Sequence, residues 1–303
     1  MSELTAFQRK VSDLLPDILL RFNEPMSKHT SFRIGGPAEV MAFPNSGAQL
    51  AQVLRACKEF ACSWRVLGAG TNVLAPDDLL PGLTICLKDC LDGVQQIDDT
   101  TIRVMAGVTM TRAGVFAANL GLSGMEFAHG IPGTVGGGVY MNAGAYGGEI
   151  KDICVGVEVI DPDGNIRTLT NEEMDFSYRH SRLEDEGGIV LSADFRLVPK
   201  PVAEIRIQMR ELMSRRSASQ PLNMPSAGSA FKRPKVGYAA ALIDQAGLKG
   251  YSVGGAAVSE KHAGFVVNLG SATAEDVRGL LASVAQIVME KSGVQLEPEV
   301  RIW

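Results

Sequence analysis

Between Gly121 and Gly148 the chain carries ten glycines, where average usage gives about two. Most fall in Gly130-Ile131-Pro132-Gly133-Thr134-Val135-Gly136-Gly137-Gly138 and in Asn142-Ala143-Gly144-Ala145-Tyr146-Gly147-Gly148. Glycine loses more backbone freedom on folding than any other residue, so such density needs a cause. It lets backbone N–H groups approach a ligand closely, and successive N–H groups in a turn form an anion nest. Gly68-Ala69-Gly70-Thr71-Asn72 offers a second glycine turn directly after the predicted strand Trp64–Leu67. Two separate glycine loops without a lysine suit the pyrophosphate of a dinucleotide better than a triphosphate. Neither matches G-x-G-x-x-G or G-x-x-x-x-G-K-[ST], which disfavours a Rossmann site and a P-loop. The plain alternative is that these glycines serve tight turns only.

Three further segments stand out, each ordinary if taken alone. Tyr178-Arg179-His180-Ser181 holds an arginine that could be a solvated surface charge. Ser226-Ala227-Gly228-Ser229-Ala230-Phe231-Lys232-Arg233-Pro234 places two cations beside an aromatic and could be a surface loop. In Leu296-Glu297-Pro298-Glu299-Val300-Arg301, strand alternation puts Glu297, Glu299 and Arg301 on one face, opposite Val300.

Around these segments, strands and helices are mixed. Strands are predicted at Glu39–Phe43, Leu83–Leu87, Ile102–Ala106, Ile153–Ile160, Ile189–Leu197 and Gly264–Leu269. A ten-residue run from Val294 to Trp303 predicts a last strand. Ser46 caps a helix with Leu50, Val53, Leu54 and Cys57 on its apolar face. A second helix runs from about Thr111 to Leu120 and stops at Gly121. Asp161–Asn165 is a turn between strands, and Thr170 with Glu173 gives a capping-box pattern for a short helix. Past Pro199 and Pro201 come helices over Val202–Ser217 and Tyr238–Ala246. The longest helix starts at Thr273, with Val277, Leu280, Leu281, Val284, Ile287 and Val288 on one side. The class is α+β, with a break near residue 200.

At 303 residues and a net charge of −5, the chain has room for two or three compact units and no general attraction to nucleic acid or anionic membrane. Met1–Phe22 is interrupted by Glu3, Arg9, Lys10, Asp13 and Asp17, so it does not read as a secretory leader. No apolar run approaches the ~20 residues of a membrane span. Five cysteines, Cys57, Cys62, Cys86, Cys90 and Cys154, lack C-x-x-C spacing. They read as buried free thiols in a reducing cytoplasm, and no metal site is expected.

Taken in order, these segments resemble the UDP-N-acetylenolpyruvoylglucosamine reductase family. The resemblance begins at His29-Thr30-Ser31-Phe32-Arg33-Ile34-Gly35-Gly36 and continues through Leu67–Leu74, Gly130–Gly137, Tyr178–Ser181, Gly228–Pro234 and Glu299–Arg301. It covers residues from about 25 to the C-terminus, and the GIPGTVGG and GSxFK elements are its most specific parts. It implies an FAD-binding domain of the vanillyl-alcohol-oxidase (PCMH) type over 1–200, to which 294–303 return, and an α/β substrate-binding domain over 201–293. The stretch between Lys249 and His262 is too short for the extra tyrosine-bearing loop of the longer family type, so the chain resembles the shorter, second type.

The resemblance also implies a reaction. NADPH reduces FAD, and the enolpyruvyl ether of the UDP-sugar is then reduced to UDP-N-acetylmuramate for peptidoglycan synthesis. Arg179 matches the arginine that stabilises charge developing into the substrate carboxylate, and Glu299 matches a glutamate donating a hydrogen bond there. Ser229 matches the serine that delivers the proton. Gly68, Gly70, Thr71, Asn72, Gly130, Gly133, Thr134, Gly136 and Asn142 are the expected FAD contacts; Tyr178, Lys232 and Arg233 are expected to bind substrate. Nothing marks His29, His129, His180 or His262 for a covalent flavin link, so the FAD is expected to be non-covalent. The partners are then the UDP-sugar and NADPH, with no nucleic acid, membrane or obligatory protein partner. Two rivals stand beside this reading: another FAD oxidase or dehydrogenase of the same fold, and a non-catalytic nucleotide-sugar-binding protein.

Overall fold

A computed structural model describes residues 4–303; Met1–Glu3, the start of the stretch read for a leader, lie outside them. The chain divides into two compact units, one of residues up to Phe22 with Glu39–Ala69 and Pro81–Arg215, the other of Asn23–Ala38, Gly70–Leu80 and Arg216–Trp303.

The first unit opens with α1 (Ala6–Leu14), where Thr5 and Gln8 form a reciprocal capping box. Helix α2 (Gly47–Glu59) starts as its sequence predicts, with the Ser46 side chain accepting from the Gln49 N–H. It accompanies a four-stranded sheet in the order Leu19–Pro25, Pro37–Phe43, Leu80–Cys86, Trp64–Leu67. A five-stranded antiparallel sheet runs Ile166–Thr170, Cys154–Ile160, Ile189–Arg196, Thr101–Met105, Val94–Gln96. Its buried Val, Ile and Leu residues join α2 and α3 (Met110–Asn119) in one core. Gly121, at φ +71°, ends α3 as expected.

Two short elements differ from expectation. The glycine segment read as a loop forms a helix, α4 (Val135–Tyr140), capped by the Thr134 side chain. Conversely, Thr170 and Glu173 exchange both capping-box bonds, at 2.8 and 3.2 Å, but close only a turn. The next helix, α5 (Arg182–Glu186), begins later, after Ser181.

Helix α6 (Val202–Ser219) carries the chain from the first unit into the second. The break therefore falls at Arg215/Arg216 rather than near residue 200, because Pro201 begins this continuous helix instead of a new fold. In the second unit a four-stranded antiparallel sheet, in the order Ser226–Ser229, Phe265–Asn268, Ala256–Val258, Ser252–Val253, packs with α7 (Ala239–Gln245) and α8 (Ala274–Ser292). The predicted apolar side of α8 is buried at Val277, Leu280, Leu281, Val284 and Val288.

The last strand is also shorter than predicted. Only Arg301–Ile302 join a ladder, parallel to Val73–Leu74. Both partners belong to the second unit, so 294–303 stay with it rather than returning to the first. The cysteines are free; Cys57, Cys86 and Cys154 are buried, whereas Cys62 and Cys90 are only partly so. No helix among the described residues is long and apolar enough to cross a membrane.

Candidate active site

In the first unit, crowding explains several glycines without any ligand. Gly136 lies inside α4 and outside the left-handed region. A Cβ there would stand 2.8 Å from the Ala106 Cβ, and one on Gly138 2.8 Å from the Met110 Sδ. The Gly136 N–H already donates to the Ala106 carbonyl at 2.9 Å, so it is not available to a phosphate. A Cβ on Gly68 would run into the Thr134 hydroxyl, which brings the turn after Trp64–Leu67 against the start of α4.

What remains open is narrower than the whole glycine run. Gly133, at φ +128°, turns the chain into α4. The N–H groups of Gly133 and Thr134 donate to no acceptor among the described residues, and Gly137 is exposed. Immediately upstream, the Nδ1 of His129 is buried with no hydrogen-bond partner. Burial lowers the His129 pKa from its ordinary value, favouring the neutral ring. Two unused N–H groups, an orphaned ring nitrogen and a glycine at positive φ make a cradle of the kind a flavin nucleotide can occupy. Sequence reading weighs His129 only for a covalent flavin link, not as part of such a cradle; its one further signal is its place next to Gly130.

The second glycine stretch has another purpose. Asn142 is fully buried. Its amide donates to Glu149 Oε2 at 2.8 Å and to the Ser177 carbonyl at 2.9 Å, while its Oδ1 accepts from the Lys151 N–H at 3.0 Å. Its side chain is thus fully engaged within the protein. Ser177 and His180 bond to each other's backbone and close a tight turn with Tyr178 and Arg179 at its tip. Arg179 Nη2 donates to the Gly144 carbonyl at 3.1 Å, and its guanidinium carbon lies 5.0 Å from the centre of the Tyr178 ring. The buried Ser181 hydroxyl donates to the Tyr140 carbonyl at 2.6 Å. The Asn142–Gly148 segment is therefore the bed for the Arg179 turn. Asn142, Tyr146 and Arg179 all hold positive φ, at +46°, +54° and +57°. Such values are uncommon outside glycine, and strain of this kind clusters at functional sites.

In the second unit the Ser229 region is more open. Gly228, at φ +75° with nothing within 4 Å of an added Cβ, sits at the irregularity between Ser226 and Ser229. Ser229 follows it and is exposed. The chain then runs antiparallel to the C-terminal segment through the Phe231–Pro298 bridge, and the Glu299 N–H donates to the Ala230 carbonyl at 2.9 Å. This brings Ser229 and Glu299 onto neighbouring backbones. The Asn72 amide donates to the Glu299 carbonyl at 3.1 Å, so its side chain holds Glu299 in place. Gly70 lies against the His29 carbonyl at φ +61°, and Thr71 follows it, half-buried. Phe231, the aromatic read beside the two cations, is buried in the core. Arg233 instead stacks on Tyr238, 4.3 Å from the ring centre, and Lys232 pairs with Glu297 at 3.8 Å.

Residues 220–303 match a family described as UDP-N-acetylenolpyruvoylglucosamine reductase, C-terminal domain, and residues 38–170 match an FAD binding domain. A UDP-N-acetylenolpyruvoylglucosamine reductase of Agathobacter rectalis is 47% identical over 307 residues, covering 98% of each chain. The chain belongs to the UDP-N-acetylenolpyruvoylglucosamine reductase family. A second relative of that name, from Caldanaerobacter subterraneus subsp. tengcongensis, is 45% identical over 97% of this chain and 96% of its own. The solved structure of the Thermus caldophilus reductase superposes with a TM-score of 0.79 at 36% identity, covering 94% of this chain and 98% of that one. A 4-ethylphenol oxidase from Gulosibacter chungangensis, 16% identical, shares the fold over 66% of this chain and 44% of its own, with a TM-score of 0.50. The α+β reading, with an FAD-binding domain and a reductase-type C-terminal domain, is thereby established.

Proposed function

We propose that Arg179, Ser229 and Glu299 carry the reduction of the enolpyruvyl ether of UDP-N-acetylglucosamine to UDP-N-acetylmuramate. As a member of its family the chain is an FAD-dependent oxidoreductase that uses NADPH and acts on this nucleotide sugar. The strained Arg179 turn, bolted to Asn142 and Gly144, is the observation that supports the assignment most. A buried amide and a left-handed arginine are costly to keep where a solvated charge would do.

Bound FAD supplies the hydride chemistry, and the protein supplies orientation and charge. Gly68, Gly130, Gly133 and Thr134 would hold it in the first unit, through backbone N–H groups and close approach, without a covalent link. Gly70 and Thr71 extend the same loop. Gly136 and Asn142 act indirectly, by packing α4 and by fixing the bed beneath Arg179, and Asn72 by clipping Glu299.

Reduction at the terminal enolpyruvyl carbon pushes negative charge onto the adjacent carbon and into the carboxylate. Arg179 presents a planar pair of donors to that carboxylate, stronger for the charge that develops than for the ground state. Glu299, as a neutral carboxyl, donates its O–H to the same group. Ser229, exposed beside its glycine bulge, delivers the proton that completes the reduction. Lys232, Arg233 and Tyr178 bind the remainder of the substrate. A cytoplasmic location suits an NADPH-consuming enzyme with free thiols.

Anaerobic absorbance spectroscopy of the purified protein tests the reading. NADPH is expected to bleach the yellow flavin bands, and the enolpyruvyl UDP-sugar to restore them. Bands that bleach but do not return with the UDP-sugar would contradict it.

A further inference from the structure

A short helical turn, Glu126–Ala128, delivers His129 to the start of the Gly130–Gly138 segment. The turn is firmly anchored. Glu126 is buried, and its carboxylate accepts from the Ser123 hydroxyl at 2.6 Å and from the Gly124 N–H at 2.7 Å. The His129 N–H donates to the Glu126 carbonyl at 3.3 Å, and the His129 carbonyl accepts from the Thr111 hydroxyl at 2.7 Å. Both backbone groups of His129 are thus engaged within the first unit. Its side chain is not: Nδ1 is buried and has no hydrogen-bond partner.

A buried nitrogen left unmatched gives up its bonds to water and gains none in return. Native proteins leave few such atoms, and each calls for a reason. Others in this chain have plainer ones. The Thr84 and Thr101 hydroxyls lie in strands and can rotate. Arg216 and Arg278 each hold such an atom in a guanidinium that donates through another nitrogen, to Gln220 and to the Trp303 carbonyl. The imidazole nitrogen has one fixed direction on an anchored backbone. Just downstream, Gly133 turns at φ +128°, and the N–H groups of Gly133 and Thr134 donate to no acceptor among the described residues. Nδ1 can carry the ring proton and be a donor as well. Donors gather here without acceptors, and a group rich in acceptor oxygens is what completes them.

We propose that His129 is an FAD-binding residue whose Nδ1–H donates to a phosphate oxygen of the cofactor. The inference rests on the reading above that Gly130, Gly133 and Thr134 hold FAD, and extends it from backbone groups to one side chain.

Two variants test it. His129→Leu removes the nitrogen and keeps an apolar side chain, whereas His129→Asn keeps a nitrogen at the δ position. Flavin-loaded protein is diluted, and the FAD released at equilibrium is read by its fluorescence, beside thermal melting and the absorbance spectrum. In His129→Leu the dissociation constant for FAD should rise about five- to tenfold, the worth of one hydrogen bond. Melting of the flavin-free protein should stay level or rise, because the unmatched atom has gone. His129→Asn should remain within about twofold of wild type. The flavin bands should keep their positions in both, since the contact is to phosphate and not to the isoalloxazine ring. An unchanged constant in His129→Leu overturns the inference. An equal rise in His129→Asn does so too, by making the ring a packing piece, and shifted bands overturn the phosphate contact. Gly133→Ala separates the inference from the reading beneath it. If that variant also keeps wild-type FAD affinity and melting, the glycine cradle falls together with the inference. Weaker binding in Gly133→Ala but not in His129→Leu overturns only the role of His129.

Discussion

Gly136 and Gly228 both sit in the most telling motifs of the sequence, yet the two regions use glycine for opposite reasons. Around Gly136 there is no room: α4 lies on Ala106, and the residue's own N–H is taken. Around Gly228 there is nothing but room, and its φ of +75° is what glycine supplies. The first region is a packed bed that fixes Arg179, and the second is an open bulge that presents Ser229. A glycine count alone does not separate these cases. Crowding and φ do.

The largest effect should come from Gly136→Val. Its branched side chain would drive into Ala106 and push α4 away, and overpacking of this kind costs about 1–3 kcal/mol or more. We expect poorly folded, colourless protein, read by flavin absorbance and thermal melting. A fully yellow variant with wild-type melting would remove the packed-bed account. Next, Arg179→Lys should lower the rate of substrate reduction by about 10²–10³-fold, the scale seen when a transition-state donor is removed. Lysine offers a point charge where a planar fork is needed. Flavin content should be preserved, and turnover near wild type would take Arg179 off the catalytic set.

Gly228→Ala should be milder for the fold. It meets no atom, so only the left-handed backbone is penalised, by about 1–2 kcal/mol. A melting shift as large as that of Gly136→Val would erase the distinction between the two regions. The smallest effect belongs to Lys151→Ala. Lys151 pairs at 2.8 Å with Glu149 in a partly exposed bridge, and solvent screening leaves such bridges little net worth. Flavin retention should be complete. Loss of the cofactor here, with Gly136→Val still yellow, would show that side-chain charge holds the phosphates instead of backbone N–H groups.

How much of this the sequence disclosed depended on how local each feature is. The strand Trp64–Leu67, the Ser46 cap and the apolar side of α8 follow from period and capping alone, and they stand as read. Helix α1 was legible in Thr5 and Gln8 but was passed over. Helix α4 was not legible, because three consecutive glycines oppose helix formation and only packing against Ala106 overrides them. The assignment of Asn23–Ala38 and Gly70–Leu80 to the second unit depends on long-range pairing such as Val73 with Arg301, which no local pattern encodes. Motif order singles out Arg179, Ser229 and Glu299 as the proposed catalytic set. It could not tell that Asn142 and Asn72 serve as clips, since that depends on what their amides reach.

The central claim is that Ser229 acts in substrate reduction and not in flavin reduction, and rapid-mixing kinetics of Ser229→Ala test it most directly. The two half-reactions are followed separately through the flavin absorbance. Reduction by NADPH should proceed at close to the wild-type rate, while reoxidation by the enolpyruvyl UDP-sugar falls about 10²–10⁴-fold, the usual worth of a positioned acid. An equal loss in both half-reactions, or none in the second, would contradict the account.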